Sequence, residues 1–171
     1  MPTEAPPLPP PPPLPEGRIQ GREAFADLVR QAVQTMAVTR WTPIVFSDPD
    51  FADWPLGERA VIEGLHAWAG RGRQIRWLAH DFSALRQLHP RLVQWRTTWS
   101  HIVEAHACSS NGSPALPSAI WTPVWCMERI DPEHGVMVAG SDAPRRLALR
   151  ERLQACWDRG TPSFPASVLG L

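Results

Sequence analysis

Residues 42–79 read TPIVFSDPDFADWPLGERAVIEGLHAWAGRGRQIRWLA, and this stretch decides the fold. Its start, residues 42–46, is short, apolar and partly β-branched, tolerates Pro43 at a strand's first position, and runs into the turn composition Ser47-Asp48-Pro49-Asp50. Asp53 and Pro55 announce a helix, Pro55 suiting its first turn. Val61, Ile62, Leu65, Trp68 and Ala69 then recur at helical spacing until Gly70-Arg71-Gly72 stops the run. Residues 74–79 predict a second strand. Strand, helix and strand with short connections make a βαβ unit, which in nearly all proteins crosses over right-handed and leaves its strands parallel.

The alternation extends both ways. Upstream, Phe25, Leu28, Val29, Ala32, Val33 and Met36 lie on one stripe and predict a helix over 22–37. Downstream, Phe82, Leu85, Leu88, Leu92, Val93, Trp95 and Trp99 mark a helical stretch that Pro90 breaks or bends, and residues 102–107 predict a third strand. Residues 108–118 are rich in Ser, Asn, Gly and Pro and read as a loop. Residues 120–130 and 135–139 predict two strands joined by Asp131-Pro132-Glu133-His134, and 143–157 a last helix that Gly160 ends. The sum is an α/β domain, a mixed sheet of about five strands flanked by helices, over residues 19–160. It lies between a disordered proline-rich tail (1–18) and a C-terminal tail (161–171).

The chain has 171 residues, 43% hydrophobic and 20% charged, which suits one soluble core. Its 17 basic and 17 acidic side chains cancel, so the long-range field that draws proteins to nucleic acid or acidic membranes is absent. All the basic residues are arginine; without lysine, Schiff-base chemistry and a P-loop lysine are excluded. No run approaches the roughly 18 apolar residues of a membrane span. No signal peptide is expected, since mostly proline precedes Arg18, the first basic residue. Cys108, Cys126 and Cys156 are odd in number and far apart, as reduced thiols of a cytoplasmic protein would be. Pro7, Pro10 and Pro13 keep the three-residue period of a polyproline II helix, so the tail is a spacer or, in the alternative, a docking ligand for a protein partner.

Ile130-Asp131 followed by Gly135-Val136-Met137-Val138-Ala139-Gly140-Ser141-Asp142 resembles the second half of the phospholipase D superfamily signature, with two extra turn residues. That signature is a histidine, one residue, a lysine, four residues, an aspartate, and about six residues to Gly-Ser. The order of elements over about residues 22–157 resembles one repeat of the same superfamily, and Phe46-Ser47-Asp48-Pro49 resembles the end of its first strand. The resemblance implies a phospholipase D-like topology and pairing of two copies across the hairpin; nine tryptophans, more than one core readily hides, also favour a homodimer. Counted back from Asp131, the nucleophilic histidine falls at Val124 and the phosphate-binding lysine at Cys126, so the site is degenerate and phosphodiesterase activity is not expected.

Other polar residues stand where chemistry could gather. His80-Asp81 closes the second strand, where open α/β sheets bind ligands, although Asp81 also suits an N-cap. With Asp48, Arg73 and Arg76 it forms the candidate set for a nucleotide or other anionic ligand, in a small enzyme or binding domain. Glu104 and His106 share a strand face, but two ligands do not make a metal site; no metal or cofactor is expected. Ser141, His134 and Asp131 are the residue types of a hydrolytic triad without a nucleophile elbow around the serine. Arginine and tryptophan interleave over 68–77 and 86–99, yet neutral net charge disfavours a nucleic-acid partner. The expectation is a non-catalytic domain that binds or scaffolds.

Overall fold

The computed structural model describes residues 5, 6, 9–112 and 114–166. In chain order the elements are β1 (Gly17–Gln20), α1 (Arg22–Thr39), β2 (Ile44–Ser47), α2 (Arg59–Trp68), β3 (Ile75–Ala79), α3 (Ser83–Leu88), α4 (Pro90–Thr98) and β4 (Val103–Ala107). Then come β5 (Ser118–Trp121), β6 (Cys126–Asp131), β7 (Val136–Gly140), α5 (Ala143–Arg159) and β8 (Thr161–Pro162). All the strands join one mixed sheet in the order β1-β7-β6-β5-β2-β3-β4-β8. The βαβ unit is as the sequence predicts, with β2 parallel to β3 and β3 parallel to β4. Pro90 does separate two helices, sitting in the first turn of the second.

Alternation along the strands divides the core in two. Trp77, Ile120 and Met127 face α1, α2 and α4, while their neighbours Leu78, Ala119, Trp121 and Cys126 face α5 through Leu149, Leu153, Cys156 and Trp157. On the first side, a Cβ at Gly64 would lie 2.6 Å from Cγ1 of Val33, so glycine lets α2 approach α1 closely. Seven of the nine tryptophans are buried, among them Trp68, Trp77 and Trp95 of the arginine–tryptophan stretches. The two sides of the sheet share them, with Trp41 and Trp99 partly buried at the margin of the first, so the tryptophans do not by themselves call for a second copy.

The sheet has eight strands where about five were expected, for three reasons. Residues 120–130 are not one strand: Thr122 Oγ1 accepts from the amides of Val124 (3.2 Å) and Trp125 (2.8 Å), turning the chain between β5 and β6. At one edge, Gly17 and Arg18, assigned to the tail, begin β1, which pairs antiparallel with β7. At the other, Thr161 and Pro162, also assigned to a tail, pair with β4, and Phe164 beyond them is 1% exposed and stacks on Phe82. Short edge strands carry little pattern of their own; their partners define them.

Candidate functional site

The two ends of the sheet carry different chemistry. Where β2, β3 and β4 finish, β5 begins, because it runs antiparallel to β2; β6, antiparallel to β5, sets Arg129 opposite Ser118. The register of β6 on β7 slips between Arg129 and Asp131, a bulge that turns Ile130 out to solvent. Arg129 points inward instead, its guanidinium 4.1 Å from the ring centre of Phe25 on α1.

There Arg129 Nη2 donates to Asp48 Oδ1 (2.7 Å), Nε to Ser118 Oγ (2.8 Å), and Nη1 to Asp53 Oδ2 (2.5 Å). Ser118 Oγ in turn donates to Asp48 Oδ1 at 2.5 Å. The other oxygen of Asp48 accepts from the amides of Asp50 and Phe51, closing the loop after β2. The side chains of Arg129 and Asp48 are only 6% and 3% exposed. Burial works against the Arg129 charge, but Asp53 and Asp48 outweigh it and hold its pKa above the ordinary value.

This network floors an open cleft of about 760 Å³, walled by Pro49, Asp50, Leu116, Glu128, Ile130 and Arg152 among others. That volume is within the range of small-molecule sites. Burial pushes the Glu128 carboxyl up, partly offset by Arg152, with which it pairs.

At the opposite end lie Val124, Cys126, Gly140 and Ser141 of the positions that the resemblance marks, while Asp131 sits at the far end of β6. Cys126 lies opposite Gly140, and Val124 and Ser141 line the same cavity, of about 580 Å³. Val124 is 45% exposed, in the turn and not on a strand. Cys126 is buried, and burial pushes its thiol up despite Arg145 and Arg146, so it is no thiolate nucleophile at neutral pH. The hydroxyl and amide (3.1 Å) of Ser141 both donate to Glu16 Oε1, and the hydroxyl's bond, first, with the amide's holds the Glu16 carboxyl below the usual carboxylate range. Trp125 Nε1 donates to the Pro15 carbonyl at 3.1 Å.

The remaining sequence candidates scatter. Asp131 accepts from His134 in the turn after β6, roughly 17 Å along β7 from Ser141, so the three types of a triad do not meet. Asp81 Oδ1 accepts from the Ser83 amide (2.6 Å) in the turn before α3, whose N-cap is Phe82 and not Asp81, while His80 Nδ1 contacts the Cys108 carbonyl (2.9 Å). Arg73 precedes β3 and His80 follows it, about 23 Å apart along an extended strand. Arg76 faces α5, over the Trp157 ring at 4.5 Å. His106 stacks on Trp157, and among the described residues no three His, Cys, Asp or Glu gather to hold a metal ion. Sequence reasoning missed Arg129, Ser118, Glu128 and Glu16 as site residues; the adjacent charges Glu128 and Arg129 within a strand were the one signal.

This architecture is phospholipase D-like. A phospholipase D family member, Nuc from Salmonella typhimurium, matches with a TM-score of 0.52 at 12% identity, over 80% of this chain and 89% of its own. TrmBL2, an archaeal chromatin protein whose structure shows a novel mode of DNA binding, matches with a TM-score of 0.62 at 11% identity, over 85% of this chain. The match covers 53% of TrmBL2, so this chain spans about half of it. At these identities the likeness is one of fold alone. No protein-family model matches the sequence, and no curated protein matches it.

Proposed function

We propose that this chain is a phospholipase D-like domain that works by binding and not by catalysis, with its ligand in the cleft floored by Arg129, Asp48 and Ser118. The observation that carries the first half is the pair Val124 and Cys126 at the signature positions: one side chain has no nucleophile, the other is a buried neutral thiol. The cleft supports the second half, being roomy and backed by side chains whose hydrogen bonds fix them before any ligand arrives. Asp48, Asp50, Asp53 and Glu128 outnumber Arg129 and Arg152 around it, so its ligand is small, polar and cationic, an amine or guanidinium compound.

A small enzyme or nucleotide site built on His80 and Asp81 has less behind it, because both side chains are engaged with backbone groups and the nearby cleft is acidic. Nucleic-acid binding is the second reading: TrmBL2 binds DNA, and α5 carries Arg145, Arg146, Arg150, Arg152 and Arg159. Thermal-shift titration separates these. Diamines and guanidinium compounds should raise the midpoint of the wild type and not of Ile130→Arg, which fills the cleft from an exposed position. Stabilisation by nucleotides or duplex DNA that survives Ile130→Arg and vanishes in Arg145→Ala/Arg150→Ala would overturn the assignment.

A further inference from the structure

The N-terminal segment is held more firmly toward its end than before it. Glu16 is clamped by Ser141, Pro15 by the indole N–H of Trp125, and Leu14 packs against the main core. Before them, Pro10–Pro13 stand across a gap of about 580 Å³ from Thr35, Thr39 and Trp41 at the end of α1 and from Val124 in the β5–β6 turn. Prolines have no N–H and make no internal ladder, so their carbonyls need donors from outside the segment. An indole N–H fixed by a ring that is 3% exposed, beside a second, half-buried tryptophan, is the pairing that grooves for proline-rich chains use. Among the described residues, Glu16 is the one charged residue that lines this groove.

We infer that the groove between the end of α1 and the β5–β6 turn is a recognition site for proline-rich chain, and that its resident occupant is this protein's own segment Pro10–Pro15. Tethering places the segment at millimolar effective concentration, which keeps the site closed to a weaker proline-rich partner in trans. The loose fit at Pro10–Pro13 makes exchange possible, with a free segment competing for the same wall.

The test uses the full chain. Pro10, Pro11, Pro12 and Pro13 changed together to serine weaken the tethered ligand without touching the core, because all four lie at the surface or half-buried there. A fluorescein-labelled peptide of residues 5–16 is titrated into both chains and followed by anisotropy. It should bind the serine variant at least tenfold more tightly than the wild type. Adding Val124→Asp, an exposed change in the groove wall, should weaken that binding at least tenfold while leaving the thermal midpoint in place. Equal binding by the two chains, no binding by the serine variant at millimolar peptide, or binding indifferent to Val124→Asp would each overturn the inference.

Discussion

The same strands, β5, β6 and β7, end in a salt-bridged cleft on one side and, on the other, in an apolar turn beside the N-terminal segment. At the cleft end a guanidinium is taken out of water and compensated by two carboxylates and a hydroxyl. At the other end, the positions that the phospholipase D resemblance gives to histidine and lysine hold Val124 and Cys126, and a carboxylate from the N-terminal segment binds Ser141. A buried ion pair persists only where its geometry and partners are complete, since stranding one member costs several kcal/mol. The contrast therefore separates an end whose buried charges pair with one another beneath an open cleft from one whose serine is bound by the chain's own N-terminal segment.

Breaking the cleft end should produce the largest effect. Arg129→Leu leaves Asp48 buried without its cation and should cost about 3–5 kcal/mol, a fall of roughly ten degrees in Tm for a chain of this size, read by calorimetry. Ser118→Ala removes a hydrogen bond to each of Asp48 and Arg129 and should cost about 1.5–3 kcal/mol. Asp53→Asn acts on a carboxylate that is 61% exposed, so solvent screening should hold its cost to about 1 kcal/mol or less. If Asp53→Asn matched Arg129→Leu, the network would centre on Asp53 and not on Asp48.

The two ends should also answer pH with opposite signs. Glu16 has a depressed folded pKa, so its contribution is full above the ordinary value of 4.5 and is lost as pH falls through the lower folded value. Glu128 has a raised one; it favours the folded state below 4.5 and loses that contribution as pH rises through its folded pKa. Glu16→Gln should therefore lower Tm at pH 7 and have no effect at strongly acid pH, the smallest shift of the set. Glu128→Gln should flatten the profile just above pH 4.5. Thermal melts between pH 3 and 7 check both, and profiles of the same sign would remove the contrast.

What the sequence made legible was local. The unit over 42–79 could be read because strand and helix periods repeat within a few residues, whereas of the positions marked by the spacing from Asp131 to Gly140-Ser141 the structure sets Cys126 opposite Gly140 and leaves Asp131 at the other end of the hairpin. β1 and β8, of four and two residues, exist only because β7 and β4 offer edges, and no local period marks them. The Arg129–Asp48 pair joins residues 81 apart, and Glu16 reaches Ser141 across 125. Thr122-Pro123 was a readable turn inside an apolar run, and it decides that Val124 lies off the strand.

The central claim is that the signature end performs no phosphodiester chemistry. The direct measurement is turnover of a chromogenic phosphodiester and of phospholipid by the purified protein, beside a catalytically competent phospholipase D family enzyme. We expect no hydrolysis above a heat-denatured control, because losing even one donor to the transition-state phosphate costs about a hundredfold or more and here the nucleophile is absent as well. Turnover that survives further purification and disappears in His134→Ala or His80→Ala would contradict the account and make this chain an enzyme.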